Sequence, residues 1–153
     1  MWGGKQLKTF EGGGAAGAAQ SLTSGATIHT WTIPVRCRPI RVGFTLTTAV
    51  TVQSAILRFD VINRTVAAVA QTTTSGGCGT ITMPVSTAGI GKAYYENTDY
   101  VAAGTGAWNE YLEEGDRVAA VVSQASTAGA GVPFLVVEID PEQPANNSSM
   151  IAG

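Results

Sequence analysis

Residues 111–140 read YLEEGDRVAAVVSQASTAGAGVPFLVVEID, and this run holds the clearest structural signal in the chain. Glu114–Gly115–Asp116 is a turn: glycine takes backbone conformations that other residues avoid, and an aspartate carboxylate caps a turn. Val118–Val122 runs out of it as a largely apolar strand. ASTAGAG follows, a small-residue loop by composition. VPFLVVEID then closes the stretch as the driest segment of all, with Phe134 and Val136 on one face and Leu135, Val137 and Ile139 on the other.

Upstream the same alternation recurs. In ATIHTWTIP, His29, Trp31 and Ile33 alternate with Ile28, Thr30 and Thr32. Beyond Pro39, Ile40, Val42, Phe44 and Leu46 share a face, opposite Arg41, Gly43, Thr45 and Thr47. Ala55, Leu57, Phe59 and Val61 repeat the idea against Arg58 and Asp60. Asn63–Arg64 reads as a turn, and Val66–Ala70, Ile81–Met83 and Lys92–Tyr95 as short strands, with Pro84 ending one of them. The spacing predicts an all-β fold, an antiparallel β-sandwich of about eight strands. A single helical turn near Trp108–Glu113 is the only departure.

Three regions follow. Residues 1–26 read as a flexible N-terminal arm, 27–140 as the sandwich domain and 141–153 as a polar C-terminal tail. The arm has no sustained period, and its Gly/Ala/Ser tract buries too little surface to offset the entropy of ordering it. Trp2, Leu7 and Phe10 stand in it as isolated apolar points, the pattern of anchors that order against something else. Lys5 and Lys8 lie between them.

Charged residues make up only 13% of the 153 residues, about half the globular norm. Small side chains fill the space that Lys and Glu usually hold, which fits a surface largely covered by other subunits. The net charge of −2 is unevenly spread: from Glu96 onward acids stand against the single base Arg117, whereas most bases precede Lys92. Either folding interleaves the two sets, or the halves complement each other between neighbouring copies or with a partner. Arg36, Arg38 and Arg41 form a basic cluster without interleaved aromatics, which argues against nucleic acid. No apolar stretch reaches the roughly 20 residues of a membrane helix, and the N-terminus lacks a signal-peptide pattern. Cys37 and Cys78 sit in no C-x-x-C pair and read as buried free thiols.

Sites of chemistry are poorly supported. Gly12–Gly13–Gly14–Ala15–Ala16–Gly17 satisfies the letter of a dinucleotide fingerprint, but no strong strand precedes it and no acid lies between Glu11 and Asp60. It reads as tether. His29, the one histidine, stands in phase with Trp31 and Ile33 as a packed structural residue; no spacing sets Ser123, Ser126 or either cysteine beside it for a triad. Glu110, Glu113, Glu114 and Asp116 cluster near the rings of Trp108 and Tyr111, a weak echo of glycosidase carboxylates and no match to a calcium loop. Charge on a solvated turn is the commoner meaning. Asn63–Arg64–Thr65 and Asn146 and Asn147 fit the glycosylation pattern, which matters only in an exported chain. The expectation is therefore a chain with no catalytic residue, cofactor or metal.

The run Trp108–Asp140, with its acidic Gly-Asp turn, apolar strand, small-residue loop and dry last strand, resembles the end of a known module. That module is the jelly roll of C1q-like and tumour-necrosis-factor-like trimers, shared by several tailed-bacteriophage capsid decoration and head-fibre proteins. The resemblance implies a homotrimer on the outer capsid surface of a virion, bound to the major capsid protein and tying capsomers together after head expansion. By that analogy Trp2, Lys5, Leu7, Lys8 and Phe10 form the interface, the lysines meeting acids on the shell. The alternative is a receptor- or glycan-binding fibre-tip module using Tyr94, Tyr95, Tyr100 or Trp108.

Overall fold

A strand with one apolar face must close that face on another layer to leave water. The computed structural model, which describes residues 6–12, 18–62, 70–71, 78–86, 91–97 and 112–139, is built in that way. Its strands in chain order are β1 (Gln6–Glu11), β2 (Gln20–Ser21), β3 (Thr27–Thr32), β4 (Arg38–Thr51), β5 (Ala55–Ile62), β6 (Ala70–Gln71), β7 (Gly79–Met83), β8 (Ala93–Asn97), β9 (Arg117–Gln124) and β10 (Ala128–Ile139). They form two antiparallel sheets, and no helix occurs among the described residues. The first sheet runs β1–β10–β4–β8, with β2 also on β10; the second runs β3–β9–β5–β6, with β7 also on β5. The chain changes sheet at each step from β2 to β5 and again at each step from β7 to β10.

The core lies between the sheets. Val42, Phe44, Leu46 and Val50 of β4 and Leu135 and Val137 of β10 meet Leu57, Phe59 and Val61 of β5 and Val118, Ala120 and Val122 of β9. Phe44 and Phe59 are the bulkiest fully buried side chains, each contributing about 1.5–3 kcal/mol by leaving water. Ala120 pairs with His29 on one side and Phe59 on the other. Its small side chain leaves room for Trp31 to stack on Phe59, with ring centroids 6.1 Å apart.

Two expectations change. Gln6–Glu11, read as arm, is a strand of the first sheet, paired residue by residue with β10 from Gln6↔Ile139 to Glu11↔Phe134. Leu22, also in the arm by sequence, is fully buried in the core. Main-chain hydrogen bonds to a long neighbouring strand hold a segment whose side chains carry little signal of their own. The sandwich therefore takes in described residues before position 27. The small-residue loop is the second change, because β10 already starts at Ala128. Register shifts between Ala128 and Ala130 and between Ala130 and Gly131 mark bulges, where glycine tolerates the unusual backbone. Gly131 packs so closely on the carbonyl oxygen of Thr45 that a Cβ would overlap it. Of Val66–Ala70, read as a short strand, only Ala70 lies among the described residues, and there it pairs with Ile62 as part of a strand.

Candidate interaction surface

Most groups that looked capable of chemistry are engaged in holding the fold. Asp116 is fully buried. Its Oδ2 accepts the Glu113 N–H at 2.8 Å, while the Asp116 N–H donates to the Glu113 carbonyl at 3.0 Å, closing the turn around Gly115 at φ 90°. Glu113 pairs with Arg36 Nε at 3.1 Å. Leu112 and Cys37 exchange two main-chain hydrogen bonds beside it, so this acidic stretch is stitched to the segment leading into β4. Glu110, Trp108 and Tyr111 lie outside the described residues. No group of three or more metal-ligating side chains forms among the described residues.

His29 meets the Trp31 ring edge-on, centroids 4.9 Å apart. Burial holds its imidazole below the ordinary value of 6.5. Gly12, the first glycine of the G-x-G-x-x-G run, is wedged between that ring and Pro133, where a Cβ would come within 2.8 Å of both. A phosphate has no place at this glycine; residues 13–17 lie outside the described residues. Cys37 and Cys78 are free and buried. Burial, reinforced by the charges of Asp116 and Glu113, pushes the Cys37 thiol up to about 12, and burial pushes Cys78 up as well. Neither is set up as a nucleophile, which requires thiolate.

What remains is surface, and the two outward sheet faces differ. On the second sheet β3, β7 and β9 present Thr30, Thr32, Thr82 and Ser123, and β5 adds Arg58 and Asp60. That guanidinium grips the carboxylate through two bonds of 2.6 and 2.9 Å, with Asp60 only 4% exposed. On the first sheet the outward rows are apolar at their centre. Glu11, Phe134, Gly43 and Tyr95 are register neighbours across β1, β10, β4 and β8. A shallow groove there is lined by Glu11, Thr45, Val132 and Phe134. Arg41 lies over the Tyr95 ring, 4.4 Å from its centroid, and Tyr95 is 56% exposed.

The chain matches no protein-family model and no curated protein.

The predicted anchors divide. Trp2 and Lys5 lie outside the described residues. Leu7 is 67% exposed on β1. Phe10 instead packs against the chain's own core, with the Lys8 ammonium 5.3 Å from its ring centroid, so neither Phe10 nor Lys8 stands on a loose tether. Tyr94 likewise packs on the core, and Tyr100 lies outside the described residues. The two charge sets do interleave in part, through Arg36–Glu113 and the cross-strand neighbours Arg38 and Glu138. Sequence reasoning missed the outward row through Phe134 and Gly43, because which strands neighbour one another is not written in local alternation.

Proposed function

We propose that this chain is a structural virion protein that binds the outer surface of a phage capsid and stabilises the mature head. The observation that carries the reading is the strand order. The Glu114–Asp116 turn feeds β9 of one sheet, and β10 closes the other between β1 and β4. This is the winding expected of a jelly roll, and it fits the resemblance of residues 108–140 to decoration proteins. The engagement of Asp116, Glu113, His29 and both cysteines in packing and turn closure favours a binding role over catalysis.

The mechanism is mass action. A protein that binds only the expanded lattice stabilises that lattice by the free energy of binding. A homotrimer that engages several major capsid protein subunits at once gains avidity that a single copy lacks. With β1 in the sheet, Trp2 and Lys5 remain the predicted anchors for the shell, together with exposed Leu7. The test is occupancy of expanded heads of the parent virus, with the full chain and with residues 1–5 removed. Binding that falls on truncation supports the reading, whereas a full chain that never sediments with expanded heads overturns it.

One observation favours a second reading. Exposed Tyr95 with Arg41 stacked on it is a surface ring of the kind a glycan- or receptor-binding fibre tip uses. Glycan-array binding abolished by Tyr95→Ala would support that role.

A further inference from the structure

We infer that the groove on the first sheet binds an alkylammonium group, a cationic head on a short apolar stem of the kind a lysine side chain carries. The inference goes beyond the capsid reading and does not depend on it. It rests on a carboxylate left open beside an aromatic ring.

Glu11, Thr45, Val132 and Phe134 line the groove. Glu11 is the last residue of β1 and stands opposite Phe134 on β10. Val132, two residues back on β10, stands opposite Thr45 on β4. The tip of the Phe134 ring covers Gly43, and the half-buried ring shows its remaining surface to the groove. Glu11 is exposed, and no hydrogen bond or ion pair among the described residues engages its carboxylate. The bases of these strands are placed elsewhere. Arg41 lies over Tyr95, Arg38 is the register partner of Glu138, and the Lys8 ammonium lies over Phe10, which packs on the core.

This donor set selects its guest. An open carboxylate attracts a cation and repels an anion, and the face of an aromatic ring attracts a cation through its quadrupole. Val132 and the ring give the apolar stem of such a cation a surface to lie on, and the Thr45 hydroxyl is an acceptor for an ammonium N–H. Calcium takes about six to eight oxygens, far more than one carboxylate and one hydroxyl supply. The volume, about 180 Å³, is below the roughly 300–1,000 Å³ of pockets for drug-sized ligands. It suits a guest the size of one side chain.

The test is a titration of the isotope-labelled full chain with n-butylammonium chloride at constant ionic strength, read from the amide resonances of Glu11, Thr45, Val132 and Phe134. Those resonances should move together and saturate with a millimolar Kd. The neutral and anionic analogues n-butanol and n-butyrate should leave them in place, a contrast that needs no variant to fold. Glu11→Gln and Phe134→Leu should each weaken binding at least about fivefold. A short peptide with blocked ends and one lysine identifies the source of the group. Binding of both peptide and amine assigns the groove to lysine side chains, binding of the amine alone assigns it to free amines, and either result supports the site. Resonances that do not move with the ammonium overturn the inference. Equal shifts with n-butanol, or an affinity unchanged in Glu11→Gln, overturn it as well.

Discussion

The ring of Phe134 on β10 lies directly over Gly43 on β4, so that a Cβ at position 43 would overlap the ring. An aromatic side chain covers the backbone that glycine leaves bare, and the two positions are coupled. Gly43→Ala should therefore destabilise the fold by about 1–3 kcal/mol, seen as a lower urea midpoint with an unchanged slope. Adding Phe134→Ala to Gly43→Ala should cost less than the sum of the two single changes. Strict additivity would show that the ring does not sit on the glycine.

Between β4 and β5 the Gln53 N–H donates to the Thr51 carbonyl at 2.9 Å, closing a three-residue turn with Val52 at φ 73°. That backbone is strained for a β-branched residue, and Val52 is 78% exposed, with little packing in compensation. Val52→Gly is expected to raise stability by about 1 kcal/mol despite glycine's greater unfolded-state entropy. Thermal melting checks it.

Asp116 offers a sharper contrast. Asp116→Ala strips the Glu113 N–H of its acceptor in a buried turn and should cost about 1–3 kcal/mol. Asp116→Asn keeps an acceptor oxygen and should lose less. Equal losses in chemical denaturation would show that the carboxylate's charge, and not the capping geometry, holds the turn.

The thiols should be silent. With Cys37 pushed up to about 12 and Cys78 also raised, a thiol reagent at pH 8 should label neither in the native protein and both in urea. The same shifts link stability to pH. Above the unfolded value of 9.0 the unfolded chain gives up protons that the folded chain keeps, so stability is full below pH 9 and falls as pH rises toward 12. Urea titrations at pH 8 and pH 10.5 measure it.

His29 acts at the other end of the scale. Its folded imidazole is held below 6.5 by burial, so the unfolded chain takes up a proton first. Stability is full above pH 6.5 and declines as pH falls below that value. Nuclear magnetic resonance of the ring protons should give a midpoint below 6.5, and His29→Gln should flatten the pH dependence.

Strand faces were legible wherever bulky apolar residues alternate with polar ones. Val42, Phe44 and Leu46, and equally Leu57, Phe59 and Val61, point inward as their spacing requires. The turn at Gly115 was legible through its residue types. Two features were not. The pairing of β1 rests on backbone hydrogen bonds and on an edge supplied by a strand far along the chain. The start of β10 is written in alanine and glycine, which name no face; those positions are set by how closely Thr45 and Leu22 approach. The candidate surface is a juxtaposition of four strands, and no local window contains it.

The central position of β10 sets the order of events during synthesis. β1, β2 and β4 all pair with this one strand, which reaches Ile139. While the ribosome is still upstream of it, β1 and β4 emerge without their shared neighbour, and the first sheet cannot close. Contacts between such distant parts of a chain form slowly. The second sheet's β5–β7 pairing needs only nearby residues, so it has a head start. The first sheet is finished only after that strand is made, so the second sheet's local pairings form ahead of it.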